Sequence, residues 1–499
     1  MDQDRRTFLK STSSLAAVAV AALAMPTAGA GQTSRAGKGL RELNRFGAGE
    51  MAARIARREI SPVEVIDAAV ARLEETEPAI NAFTAVDADG ARRTARAAEA
   101  AVMRGDTLGP LHGVPVSVKD LIDVAGLPAS YGSLTMKGNV ARVDSVSVER
   151  LRRAGAIIIG KTATSEFGYS GNTKTLVHGV TRNPWNLALT PGGSSGGAAA
   201  SVAAGVTPIA LGTDGGGSIR QPCSLTGLTG IKPNLARVPF WPAGVNPTLL
   251  HVGPIASSVA DAALVLQVIA GPDRRDPYSL MEPMGREPDP EKVRGLRIGF
   301  SPTLGYAKVD AQVERVVNAA IDKLRPVFPS LVNVADVFPD ARGIHLPIFL
   351  AGISARLGDL IDTAPEMIDP PLVAAIKGFR EMSVDAYTRV LRRQVEYRDT
   401  MRQFFDRYDV LLTPTLPCVA WDTQYALPPQ TTDTGYFTRP FNLTGQPVAS
   451  IPCGLTEANL PVGLQVVTRL GDEATLISVL RVVEMTLSQR IVPIDIANG

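Results

Sequence analysis

The chain has 499 residues, 51 basic against 49 acidic side chains and a formal charge of +2, which excludes the basic footprint of a nucleic-acid binder or of an anionic-membrane surface. Three well-separated cysteines (Cys223, Cys418, Cys453) and four histidines without ligand spacing leave no zinc-type or redox Cys-x-x-Cys site, so neither metal nor cofactor is expected. The length would accommodate several domains, but no composition break marks a linker and one large domain is expected, with a small soluble molecule as partner.

At the N-terminus, Asp4-Arg5-Arg6-Thr7-Phe8-Leu9-Lys10 precedes an apolar run from Leu15 to Met25 and then Ala28-Gly29-Ala30, a small-x-small cleavage pattern. The run is too short and alanine-rich to span a bilayer, so no stable membrane insertion is expected. Residues 1–30 resemble a bacterial twin-arginine export signal, which implies a periplasmic or secreted protein with a mature chain from about Gly31.

Along the mature chain, Ser61-Pro62-Val63-Glu64 combines a serine cap, proline in the first turn and an acidic residue, and predicts a helix to about Glu77. Asp87 to Arg104 reads as a second helix. Gly113 to Lys119 alternates and is β-branched, a short strand ending at Lys119. A helix from Val146 to Ala154 leads into Ala156 to Ile159, a continuous apolar strand of the kind buried on both faces. Val206 to Leu211, Arg297 to Phe300, Val410 to Leu412, Asn442 to Pro452 and Gly463 to Val467 read as further strands. Asp310 to Val327, Val384 to Arg407 and a segment from about Glu473 read as helices, with Pro239 to Pro247 and Met281 to Pro290 as loops. Helices alternating with buried strands indicate an α/β fold with a large mixed sheet flanked by helices.

Two motif matches lose on physical grounds. Gly155 to Thr162 fits Gly-x-x-x-x-Gly-Lys-Thr, but Ala-Ile-Ile-Ile is strand-forming and cannot make the turn that cradles a phosphate. The patterns Gly192-x-Ser194-x-Gly196 and Gly193-x-Ser195-x-Gly197 fit a nucleophile elbow, whose downstream histidine would be His251 or His345. The first of these sits in an apolar neighbourhood that suits a hydrogen-bonded core histidine, so a Ser-His-Asp esterase of α/β-hydrolase type is the runner-up.

The densest chemistry lies between Pro191 and Pro222, where one Gly/Ser cluster holds Ser194 and Ser195 and a second, Gly215-Gly216-Gly217-Ser218, offers consecutive amide donors beside a hydroxyl. An alanine-rich segment with small residues at helical spacing separates them. Together with Gly109 to Asp120, Gly212 to Arg220, Gly230-Ile231-Lys232-Pro233, Leu412-Thr413-Pro414 and Phe441 to Pro447, these runs resemble the amidase signature family of serine hydrolases, in order, from about residue 42 to residue 490.

That resemblance implies a catalytic domain over residues 31–499 and a Ser-cisSer-Lys triad: Ser218 as nucleophile, Ser194 as bridging serine on a cis peptide and Lys119 as base. The spacing of 24 residues between Ser194 and Ser218 matches the family's and selects Ser194 over Ser195, which becomes a supporting hydrogen bonder. The backbone amides of Gly215, Gly216, Gly217 and Ser218 are expected to form the oxyanion hole, and Asp214 and Arg220 to order the loop, with a plain surface ion pair as the alternative. The family often has a bulkier residue at position 215, so glycine there is expected to loosen the loop. Cys223 reads as a small buried residue rather than a thiol nucleophile.

A lysine at its ordinary pKa of about 10.4 cannot accept a proton at neutral pH, and bringing it toward about 7 costs roughly 4–5 kcal/mol, which burial can supply. The expected activity is hydrolysis of a carboxamide or anilide C–N bond of a small amide substrate through an acyl-enzyme. A non-catalytic ligand-binding relative and the glutaminase component of a tRNA-dependent amidotransferase are the other readings; an export signal speaks against the latter. A homodimer is left open, and residues 270–440 contain no motif that reads as a substrate pocket.

Overall fold

Ser61 opens the first long helix, Pro62–Ile80: its Oγ accepts from the Val63 N–H at 2.9 Å while Glu64 accepts from the Ser61 N–H at 2.9 Å, a reciprocal cap. The helix runs through Pro78 and past the expected Glu77. Asp87 caps the next helix, Ala88–Arg104, by accepting from Gly90 N–H at 2.9 Å. This is a computed structural model, and it describes residues 41–335, 337–429, 431 and 433–487. The expected export signal and its expected cleavage near Gly31 lie outside the described residues.

The strands are β1 (Phe83–Val86), β2 (Pro115–Lys119), β3 (Ile157–Thr162), β4 (Lys174–Thr175), β5 (Gly179–Val180), β6 (Ile209–Asp214), β7 (Thr229–Lys232), β8 (His251–Ala256), β9 (Ile298–Phe300), β10 (Val332–Asn333), β11 (Val410–Pro414), β12 (Val448–Leu455) and β13 (Pro461–Thr468). Eleven of them form one sheet in the order β1-β3-β2-β6-β8-β7-β12-β13-β11-β9-β10, and β4 pairs with β5 apart from it. The sheet is mixed: β2, β3 and β6 run parallel, β8, β7, β12, β13 and β11 follow antiparallel, and β9 lies parallel to β11. With helices on both faces, the described residues fold as a single domain.

Strand pleating decides which side chains meet. Val116 and Val118 enter the larger apolar core, which the helices Val259–Ile269, Ala311–Leu324 and Glu473–Leu487 complete. Ser117 faces the other way, its Oγ 2.9 Å from Ser201 Oγ on the helix Gly196–Ala203. Lys119, two residues on, shares that side of the strand.

Three boundaries differ from expectation. The strand read as Val206–Leu211 is Ile209–Asp214, because Arg220 neutralises Asp214 and lets a carboxylate finish a buried strand. The strand read as Ala156–Ile159 continues to Thr162 and buries Lys161 against Asp120 at 3.4 Å, which confirms that this segment is no phosphate loop. Asn442 to Thr444, read as strand, belong to the helix Arg439–Thr444, which ends at Gly445 with φ of 87°.

Candidate active site

Lys119 ends β2 with its side chain fully buried. Its Nζ donates to Ser194 Oγ at 2.7 Å and to Thr213 Oγ1 at 2.9 Å, and lies 3.4 Å from the Thr213 carbonyl. Burial pushes its pKa well below the ordinary lysine value, and the charge of Asp214 offsets only part of that. The Gly193–Ser194 peptide is cis, as the motif implied. Ser195 follows: its Oγ donates to the Thr213 carbonyl at 3.1 Å and its N–H to the Ser218 carbonyl at 3.2 Å, so it ties the two Gly/Ser clusters together.

Behind the second cluster lies a buried ion pair. Arg220 donates to both Asp214 oxygens at 2.9 Å, and its remaining N–H groups reach the Thr438 carbonyl, Asn442 Oδ1 and Gln465 Oε1. Burial pushes the Asp214 carboxyl up, but Arg220, with help from Lys232 and Asn442, outweighs it and holds the group well below the usual carboxylate range. Both partners are 0% exposed, which overturns the surface-pair alternative. Asp214 also accepts from the Gly217 N–H at 2.7 Å and the Ile219 N–H at 3.2 Å. The Gly217 amide is therefore occupied, which removes it from the expected oxyanion donors. Among the described residues, the amides of Gly215, Gly216 and Ser218 have no protein partner.

Ser218 is half-buried and opens on a cavity that Gly193, Gly216, His345, Phe349 and Arg439 also line. Lys119 and Ser194 are buried and bonded to each other, and the Ser195 N–H ties their loop to the Ser218 carbonyl at the cavity wall. The amidase family model matches residues 64–477. The chain belongs to the amidase signature family.

Like other amidases of this family, it is a hydrolase of C–N bonds. It is 38% identical over 484 residues to a component of the glutamyl-tRNA(Gln) amidotransferase of Anaeromyxobacter dehalogenans, covering 90% of this chain and 97% of that one. It is 35% identical over 442 residues to an acylamidase of Rhodococcus erythropolis, covering 86% and 92%. Among solved structures, a bacterial aryl acylamidase of the amidase signature family superposes with a TM-score of 0.82 at 29% identity over 89% of this chain and 97% of that one. The peptide amidase of Stenotrophomonas maltophilia gives 0.77 at 28%, over 90% and 98%.

The histidines of the elbow reading have other partners in this amidase. His251 sits in β8 with Nδ1 2.8 Å from the Leu249 carbonyl, the core histidine expected, and His345 Nε2 donates to the Gly215 carbonyl at 2.6 Å. Neither touches Ser194 or Ser195, so the Ser-His-Asp alternative fails. Cys223 is fully buried, and desolvation pushes its thiol pKa up, away from reactivity.

Two features escaped the sequence reading. Thr213 gives Lys119 its second hydroxyl; its position just before Asp214-Gly215-Gly216-Gly217-Ser218 was the available signal. The other is a second cavity, lined by Leu121, Tyr131, Phe167, Trp241, Val245, Phe349 and Arg356, which shares Phe349 with the first. Tyr131 and Phe167 both hold left-handed backbone, φ 52° and 46°, and the Phe167 N–H donates to the Tyr131 carbonyl at 2.9 Å. Strained residues of this kind persist where surrounding structure fixes them, commonly at binding sites. Glycine at 215 does not loosen the loop, because a Cβ there would come within 2.9 Å of Phe349 Cε2: the aromatic ring fills the space.

Proposed function

We propose that this amidase hydrolyses a small, neutral carboxamide or anilide bearing an apolar or aromatic group, through an acyl-enzyme on Ser218, and that it works outside the cytoplasm after twin-arginine export. The observation that carries the reading is the fully buried Lys119 amine 2.7 Å from Ser194 Oγ. An uncharged amine there draws a proton from Ser194, which in turn takes the Ser218 proton as Ser218 Oγ bonds to the carbonyl carbon. The C–O double bond becomes a C–O single bond carrying negative charge, and the amides of Gly215, Gly216 and Ser218, which have no protein partner among the described residues, are its donors in this reading. Collapse re-forms the carbonyl and breaks the C–N bond, and the leaving amine collects the proton through Ser194. Water repeats the sequence in reverse, leaving a carboxylic acid and restoring Ser218.

Neutral substrates fit the charges. Arg439, the one charged side chain among the described residues lining the Ser218 cavity, is ion-paired with the buried Asp433. In the neighbouring cavity Asp123 accepts from the Tyr131 hydroxyl at 2.9 Å and Arg356 lies over the Tyr131 ring, and the rest of the lining is mostly aromatic and aliphatic, as suits an aryl or alkyl substituent.

A second reading, glutamine hydrolysis in a tRNA-dependent amidotransferase, draws on the 38% identity to the glutamyl-tRNA(Gln) amidotransferase relative. One panel separates them: aryl, alkyl and peptide amides beside free glutamine, with the Ser218→Ala variant. Cleavage of anilides, with turnover and fluorophosphonate labelling abolished in Ser218→Ala, is the expected result. Unchanged turnover in that variant ends the mechanism, and glutamine as the sole substrate favours the second reading.

A further inference from the structure

The carbonyls of the loop that presents Ser218 are each gripped from behind. Asp214 O accepts from Asn442 Nδ2 at 3.0 Å, Gly215 O from His345 Nε2 at 2.6 Å, Gly216 O from Thr438 Oγ1 at 2.6 Å and Gly217 O from the Gln221 N–H at 2.8 Å. A trans peptide is planar, with its C=O and the following N–H pointing in opposite directions. Each grip therefore also aims the next amide. The Gly216 carbonyl aims the Gly217 N–H at Asp214, where it is consumed. The Gly215 carbonyl aims the Gly216 N–H, which has no partner among the described residues and belongs to a residue bordering the Ser218 cavity.

We propose that His345 is a positioning residue for the oxyanion hole: by donating Nε2–H to the Gly215 carbonyl, it sets the direction of the Gly216 amide toward the oxygen that becomes negative. This rests on the acyl-enzyme reading above. The carbonyl can only accept, so Nε2 carries the hydrogen. Nδ1 is buried without a partner. Burial and the charge of Arg439 push the imidazole pKa down to about 3, against smaller opposing contributions from the Gly215 bond, Asp433 and Asp214, so the ring stays neutral in the working range.

The ring has little freedom to move. It is 3% exposed and stacks on Phe349 with centroids 5.7 Å apart and planes 17° from parallel. His345 and Phe349 are one turn apart on the helix Arg342–Leu357, so a single helix face covers the loop. A Cβ at Gly216 would come within 3.0 Å of His345 Cε1. The imidazole is thus bonded to Gly215 and packed closely over Gly216, and the stretch that offered no readable motif contributes to the loop through this helix.

The test compares His345→Gln, which keeps an N–H of similar reach, with His345→Met, which keeps volume but donates nothing. Steady-state kinetics use para-nitroacetanilide, beside inhibition by an aryl trifluoromethyl ketone, which forms a tetrahedral oxyanion on the serine. His345→Met is expected to lose about tenfold to a hundredfold in kcat, with KM within about threefold and ketone affinity falling in parallel, because a misdirected donor acts on the transition state. His345→Gln is expected to recover most of the loss. Equal losses in the two variants, or a change confined to KM or to melting temperature, would overturn the proposal. The rate of fluorophosphonate labelling of Ser218, whose phosphonyl oxygen uses the same donors, gives the same comparison without a substrate. Absence of labelling in the parent enzyme would instead mean that the acyl-enzyme reading has failed.

Discussion

Lys119, the base of the proposed mechanism, is costly to bury. Burial lowers its pKa, so between its native value and about 10.4 the unfolded chain holds a proton that the native chain lacks. Its effect on stability is therefore unfavourable at neutral pH and fades as pH rises toward the ordinary lysine value. Catalysis has the same sign: kcat/KM is expected to fall as pH drops through the native pKa of Lys119, with the slope of a single proton. A pH–rate profile checks this, and activity that keeps rising into the acid range would contradict it. Lys119, Ser194 and Ser218 could be singled out because each stands in a distinctive run of neighbours, and the structure bonds the first two to each other. His345 could not, because its contact with Gly215 spans 130 positions and is made only when the helix packs onto the loop.

Among the elements, the helix Gly196–Ala203 sets the positions of Ser194 and Ser195 at its start. It packs backbone to backbone: a Cβ on Gly197 would lie 2.4 Å from Ala163 N and 2.5 Å from Ala82 O, neither of which can swing aside. Gly197→Ala is expected to cost about 1–3 kcal/mol through overpacking and to reduce kcat as the helix start shifts. Urea denaturation and steady-state kinetics measure the two effects, and a variant as stable as the parent would refute the packing account. The small residues at helical spacing made this helix legible in advance. The end of β6 was not legible, since Asp214 looks like a strand breaker until its partner Arg220 is in place. The same holds for Asn442, whose residue type gave no hint that it caps the Asp214 carbonyl from a helix.

For the whole molecule, the sequence was sufficient for a mixed sheet with helices on both faces, because alternating buried strands and amphipathic helices admit few other arrangements. The strand order, with β8 and β7 intervening before the C-terminal strands, depends on long-range pairing that local pattern does not encode. Among the described residues no helix is long and apolar enough to cross a membrane. Export is tested at this scale: replacing Arg5 and Arg6 by lysine is expected to shift amidase activity from the periplasmic fraction to the cytoplasm. N-terminal sequencing of the exported chain is expected to begin near Gly31. An unaltered distribution would refute the signal.

Arg220 uses all five of its N–H groups, and three of them are satisfied by positions 438, 442 and 465, more than two hundred residues downstream. A ribosome must therefore deliver the chain well past residue 465 before this cation has its full set of acceptors. Until then Arg220 has only Asp214 to hold it, and three of the five hydrogen bonds behind the serine loop are still to form.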